Sequence, residues 1–475
     1  MAAMTPAAQA DPANVRPEPP LAGRRVEGWL AAAAFALMAG WFAYHALTTR
    51  GVLRHDELGH LLVARDAWER PRLIFNAWGR PANTLFFMPV AGGPLWGARL
   101  WAAAMSLLAA GLVWGIGRRM SLSGAPLAPL WLLLQPLFLG TGWMALTQPP
   151  MTLMATLAAW LALAGRWRLA ALTTGILPLI RHEGIVLLAF MGALSGVRRR
   201  YAEWLLLLSP LALANGLALA LFGDFPSSTY FSPRPTDHYG AATFEVFASG
   251  LRDAAGAPCL VLVLIGLVES LRRPGFALYV AANFVYLATL GGLRRFGLYG
   301  AGGHPIIFLP LAPALALLAA EGLAWVGGRA AENLAQAWPR LASLAPKLGL
   351  GLIALGIVAG LGASRRYPRV QVEAHERAID EAIAYLRAEQ PQAAPVVSAH
   401  VWFFYYMPRP IPRADFALWI APPPLESLAP GTIVLWEPRY ADLHTLARSR
   451  LEDPQGPWER LWSSGEEAAL FKRVR

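Results

Sequence analysis

Two carboxylates stand side by side in "RHDELGH" (54–60), Asp56 and Glu57, flanked by His55 and His60. A carboxylate in such a place can accept a proton from a hydroxyl or amine as that atom attacks an activated carbon. If the leaving group is already a phosphate, no protein acid is required. Positive charge to hold the departing anion is enough. Two plainer readings compete. Acidic residues at a helix start satisfy free amides and suit the macrodipole. A metal site is the other. His55 and His60 are separated by about 140° on an ideal helix, so they do not share a face as HExxH histidines do. Asp56 and His60, at i and i+4, do share one, but two ligands make no site.

Cations that could serve a departing phosphate lie in separate clusters. The segment after the first apolar run carries Arg50, Arg54, Arg65, Arg70, Arg72 and Arg80. Arg181, His182 and Glu183 form "RHEG", and Arg294, Arg295 and His304 fall in "GLRRFGLYGAGGHP" (292–305). If 55–69 is a helix lying along a membrane, Asp66 could face the same side as Asp56. His60 and Trp68 read first as packing residues and second as substrate contacts. The block "VWFFYY" (401–406) reads as tail core rather than a sugar platform.

These residues need a scaffold, and composition names its class. The chain has 475 residues, 56% hydrophobic and only 15% charged, which few soluble proteins of this size tolerate. Apolar runs of spanning length recur. The expected fold is an all-α polytopic membrane bundle with a small C-terminal α/β domain. About eleven spans are expected, near 28–48, 95–116, 124–141, 148–164, 169–180, 184–196, 202–222, 256–271, 276–292, 305–326 and 348–364. Residues 1–25 read as a disordered tail, 26–365 as the membrane domain with its first loop at 49–94, and 366–475 as the soluble domain. Pro178 favours a break between the short fifth and sixth spans. Such a break survives only against protein or water, so Arg181 is not expected to face lipid.

The net charge is +11 and nearly all cations are arginine. Basic loops on a membrane protein indicate topology and anionic lipid, and no basic–aromatic module for nucleic acid is present. With the N-terminus inside, Arg24/Arg25, Arg118/Arg119, Arg166/Arg168, Arg198–Arg200 and Arg272/Arg273 all fall on the cytoplasmic side. The first loop breaks that rule: either the topology is inverted, or the loop keeps its cations for an anionic ligand, which the agreement of every other short loop favours. An odd number of spans then places the tail domain outside the cytoplasm. The lone Cys259 allows no internal disulfide. In the tail, Ile379, Ile383 and Leu386 share one helical face, 394–406 and 431–438 read as buried strands, and 459–474 reads as a strand pair.

The run "RHDELGHLLVARDAW…NAWGRPANTLFF" resembles the first extracytoplasmic loop of GT-C class glycosyltransferases, the polyprenyl-phosphate-sugar-dependent enzymes related to protein mannosyltransferases and aminoarabinose transferases. "LTQPPMTLMATLAAWLALAGRWRLAALTTGILPLIRHEGIVLLA" (146–189) resembles their run of short spans, and "GGHPIIFLPLAPALALLAA" (302–320) a later segment. There His304-Pro305 stands where Arg or Tyr is more usual. The resemblance implies a base at Asp56, with Glu57 the second choice. It implies donor or phosphate contacts at Arg80, Arg181, Arg294, Arg295 and His304, with His55, His60, Asp66 and Glu183 as further cavity residues. Arg80 reads equally as a turn cation before Pro81, and Arg181–Glu183 as an ion pair bridging a helix break. The implied partners are a polyprenyl-phosphate sugar, an extracytoplasmic acceptor and membrane lipid, in a bacterial inner membrane. No cofactor is certain, although some members of the class need a divalent metal ion. A lipid-linked sugar transporter, or a non-catalytic envelope assembly protein, would share the apolar bundle and the arginines.

Overall fold

The computed structural model describes residues 21–53, 56–76, 78–223, 225, 243–298, 305–364, 370–389, 395–407, 424–441 and 446–475. In chain order the bundle comprises α1 (Leu21–Thr48), α2 (Asp56–Asp66), α3 (Pro81–Ala91), α4 (Leu95–Arg119), α5 (Ala128–Leu133) and α6 (Pro136–Thr141). It continues through α7 (Gln148–Leu163), α8 (Trp167–Ile180), α9 (Gly184–Val197), α10 (Tyr201–Phe222) and α11 (Phe244–Ala255). The last four helices of the bundle are α12 (Ala257–Ser270), α13 (Pro274–Arg295), α14 (Ala312–Ala337) and α15 (Ala345–Ser364).

Among the described residues six helices are long and apolar enough to cross a membrane: Gly28–Thr48, Leu95–Arg119, Tyr201–Phe222, Pro274–Arg295, Pro305–Ala337 and Pro339–Ser364. A seventh follows if the pair α11–α12, bent by 96°, is one span. The bend falls at Gly256, whose φ of 82° is open to a residue without Cβ. The expected eleven segments therefore divide into six or seven full-length helices and a stretch of shorter ones over 124–197. Prolines explain part of the difference. Pro129 and Pro136 lie in the first turns of α5 and α6, where a missing N–H is harmless, so 124–141 restarts rather than runs through. The helices α7, α8 and α9 have 16, 14 and 14 residues. At 1.5 Å per residue they are shorter than the ~30 Å hydrocarbon core.

Charge is sorted between the two ends of the bundle. Arg119 donates to the Leu163 carbonyl, Arg273 donates to that of Ser121, and Arg198 and Arg200 lie over the Trp167 ring. The arginines at 118–119, 166–168, 198–200 and 273 thus gather at one end. The α2 loop, the α8–α9 turn and the tail occupy the other.

The tail begins with α16 (Ala374–Glu389), which buries Ile379, Ile383 and Leu386 as the helical spacing predicts. Four strands follow, β1 (Val396–Ser398), β2 (Ile433–Trp436), β3 (Trp458–Ser463) and β4 (Ala469–Arg473), in the order β1-β2-β4-β3. The β1–β2 pair is parallel; β4 runs antiparallel to β2 and to β3. The strand expected over 394–406 stops at Ser398, and Val401–Tyr406 is a helix, α17. Side chains turn the chain there. Ser398 Oγ accepts from the His400 N–H, and His400 Nδ1 from that of Trp402. Local bonds of this kind compete with a sheet ladder. Phe403 and Phe404 then pack with Leu58, Leu61 and Leu62 of α2 in one apolar cluster. The aromatic block is therefore the joint between tail and first loop, as well as tail core. Burying each Phe is worth about 1.5–3 kcal/mol.

Candidate active site

α2 starts at Asp56, so both carboxylates occupy its first turn, yet they face different surroundings. Asp56 is exposed and Glu57 is fully buried. Arg99, in the first turns of α4, donates Nε to Glu57 Oε1 at 2.8 Å and Nη2 to Oε2 at 2.7 Å. The Ala145 N–H adds a third bond to Oε1 at 3.0 Å, and Arg99 Nη2 also reaches the Gly51 carbonyl at 2.7 Å. Glu57, the alternative base in the sequence reading, is thus tied into a two-pronged buried ion pair. That pair clamps α2 to α4 and to the 145–147 segment, and it leaves Asp56 as the carboxylate that faces outward.

The 145–147 segment leads directly to the arginine cluster. Thr147 Oγ1 accepts from Arg181 Nη1 at 2.6 Å and from Arg80 Nη1 at 3.1 Å, which draws two guanidinium groups from distant parts of the chain together. Arg181 also forms an ion pair with Glu183 at 2.5 Å, both side chains nearly fully buried. The expected helix break is present, two residues beyond Pro178: α8 ends at Ile180, Arg181 is extended, and α9 begins at Gly184. Pro81 opens α3 with Arg80 as its cap, in a left-handed backbone (φ 65°) that few non-glycine residues adopt. Asn76 Oδ1 supports this turn by accepting from the Trp78 and Gly79 amides. Strain held in this way is common where a side chain must be aimed.

His60 joins the cluster from the middle of α2. Its ring stacks on Trp78 at 4.1 Å, and among the described residues its buried Nδ1, like Asn83 Oδ1 and Thr84 Oγ1, meets no hydrogen-bond partner. Burial, then the charges of Arg80 and Arg181, hold the His60 pKa well below its usual value, so the ring is neutral at pH 7. The stack depends on Gly59, because a Cβ there would lie 2.3 Å from Trp78 Cη2. Gly59→Ala should therefore displace Trp78 and cost about 1–3 kcal/mol of stability, as overpacking does. Thermal melting beside tryptophan fluorescence checks this.

Of the other sequence candidates, Arg294 is buried and Arg295 exposed at the C-terminal end of α13. Asp66 closes α2 and pairs with Arg65 at 3.0 Å. His55 and His304 lie outside the described residues, as does Arg54. Arg50 and Arg65 line a separate hollow of about 500 Å³ shared with Arg99, Tyr405 and Tyr406. Among the described residues no three His, Cys, Asp or Glu side chains converge as a metal-ligand cluster. The carboxylate next to Asp56 is committed to Arg99. Thr147 and Arg99 were not singled out by the sequence reading. A lone cation inside an apolar run was the available signal for Arg99, since such a residue needs a buried partner.

The bundle of long helices, with a loop helix and a mixed-sheet tail at one end, is a fold already seen in solved structures. The solved structures it is similar to include two of ArnT from Cupriavidus metallidurans. The one bound to undecaprenyl phosphate shares 15% identity at a TM-score of 0.60, over 94% of this chain and 98% of that one. The apo structure shares 15% at a TM-score of 0.57, over 95% and 98%. At this identity the likeness establishes the fold. No protein-family model and no curated protein sequence matches the chain.

Proposed function

We propose that the chain is a glycosyltransferase that moves a sugar from a polyprenyl-phosphate donor to an extracytoplasmic lipid, glycan or protein. The observation that carries this reading is the meeting of Arg80 and Arg181 on Thr147, joined through residues 145–147 to the helix that begins with Asp56. In the proposed reaction Asp56 takes the proton of an acceptor hydroxyl or amine. The freed lone pair attacks the anomeric carbon, and the bond from that carbon to the phosphate oxygen breaks. The lipid phosphate leaves with its charge held by the two guanidinium groups. A single displacement with one base inverts the anomeric centre, unlike the two-step route of retaining enzymes with two carboxylates. Neutral His60, stacked on Trp78, adds a polar edge without more positive charge.

The place for the lipid chain has support as well. A cavity of about 390 Å³ lies between α7, α8, α9 and α13, with Leu177, Leu187, Phe190 and Tyr279 among its walls. The carbonyl of Leu177 accepts the Arg181 N–H at 2.9 Å, so this apolar space adjoins the arginine site. An isoprenoid chain along α8 would bring its phosphate to Arg181. The arginines at the opposite end of the bundle favour a cytoplasmic location there, with the site and tail outside.

Purified protein in detergent, given a labelled polyprenyl-phosphate sugar and an acceptor extract, should release free polyprenyl phosphate and a labelled product. A transporter or an assembly protein would return the donor intact, and that result would overturn the proposal.

A further inference from the structure

At the end of the bundle away from the arginine–threonine site lies a second hollow, of about 720 Å³. Two turns face each other across it: Gly165–Leu169, between α7 and α8, and Arg199–Glu203, at the start of α10. Arg166, Arg168, Arg199 and Arg200 all line it. Arg198 lies just beside it with its guanidinium 4.2 Å above the Trp167 ring, and Arg200 lies 5.2 Å above the same ring. The one carboxylate in the hollow, Glu203, is buried and already used. It accepts from Arg200 at 3.2 Å on one oxygen and from Ser195 at 3.1 Å on the other. Among the described residues no carboxylate forms an ion pair with Arg166, Arg168, Arg198 or Arg199. Arg199 takes a left-handed backbone (φ 55°) where α9 ends, with the Arg200 N–H bonded to the Ser195 carbonyl at 2.8 Å and the Arg199 N–H to that of Gly196 at 2.9 Å.

Four guanidinium groups lining one hollow, with a single buried carboxylate among them, make a field that attracts an anion. The rim points to the source of that anion. Val197, Tyr201 and Leu205 are exposed beside the hollow on helices that run through the apolar bundle. A ligand here meets guanidinium groups at its head and apolar side chains along its flank. Basic pockets between membrane helices bind lipid headgroups with several phosphates by this combination. We propose that the hollow binds a doubly phosphorylated anionic phospholipid headgroup, one phosphate for each arginine turn, from the leaflet opposite the candidate active site. Such a lipid would tie the α7–α8 turn to the α9–α10 turn. The far ends of those same helices carry Thr147, Arg181 and Glu183. The hollow shares Gly165 and Trp167 with the apolar cavity between α7, α8, α9 and α13, but its arginines lie at the end away from Arg80, Arg181 and Asp56.

The test uses the full chain in neutral detergent and native mass spectrometry with added cardiolipin, phosphatidylglycerol or phosphatidylcholine. Cardiolipin should be retained in preference to the other two. A triple variant, Arg166→Gln, Arg168→Gln and Arg199→Asn, should lose cardiolipin affinity by roughly 10- to 100-fold, while its lipid-free melting stays at the parent value. A control triple at other arginines, Arg118→Gln, Arg272→Gln and Arg329→Gln, should change affinity by less than about 2-fold. Equal losses in the two triples would mean diffuse surface charge and overturn the proposal. So would retention unchanged in the first triple. If soluble pyrophosphate displaces cardiolipin at equal concentration, the site takes free anions rather than lipid, which also overturns it. Should the triple fail to fold, Arg168→Gln alone, an exposed helix position, should still weaken cardiolipin by roughly 3- to 10-fold.

Discussion

Replacing Arg99 with methionine should destabilise the protein by about 3–5 kcal/mol. The methionine fills much of the space, but it strands Glu57, a fully buried carboxylate that receives both arms of the guanidinium. The Gly51 carbonyl loses its donor in the same change. Removing Glu57 should be milder. In Glu57→Gln the amide oxygen still accepts from the Ala145 N–H, and Arg99 keeps the Thr49 and Gly51 carbonyls. The double variant Arg99→Met, Glu57→Gln should fall between the two single changes, because no bare charge remains. Thermal melting in detergent reads the series. A parent-like melting temperature for Arg99→Met would show that the pair contributes little. If Glu57 were the base instead, its conservative variant would keep the fold and lose turnover. The melting order and the rate order thus separate the clamp from the chemistry.

Much of this site was legible because its residues carry their own local reasons. Asp56 opens a helix, Pro81 opens another directly after Arg80, and Arg181 sits where Pro178 and the short apolar runs require a break. The contacts that join these points were not legible. Arg99 meets Glu57 across 42 positions and Arg181 meets Thr147 across 34, and a hydroxyl within an apolar run reads as ordinary helix filler. The tail shows the same division. Ile379, Ile383 and Leu386 announce a helix by spacing alone, and the strands around Val434 and Phe471 by composition. Val401–Tyr406 has strand composition yet forms a helix. The two side chains that turn the chain before it, Ser398 and His400, act through bonds to backbone amides that no periodicity records. The short helices over 124–197 have a related cause: prolines and the arginine turns divide that largely apolar stretch into helices too short to cross unaided.

Asp56→Asn should lower transfer by about 10²- to 10⁴-fold, the range expected for loss of a general base. The fold should survive. Asp56 is exposed in the first turn of α2, and asparagine keeps nearly its shape. The loss should appear in kcat, with the KM for the lipid donor little changed, because the donor phosphate is assigned to Arg80 and Arg181. Arg181→Lys should show the opposite emphasis. A lysine keeps one charge but cannot hold Thr147 and Glu183 together as the guanidinium does, so the cluster loosens and donor binding weakens most. Asp56→Glu moves the carboxylate by about one methylene and should restore part of the rate, which an electrostatic role at a distance would not require. Near-parental turnover in the folded Asn variant would exclude Asp56 as the base. Glu57 beside it is bound to Arg99 on both oxygens and does not stand ready to take its place.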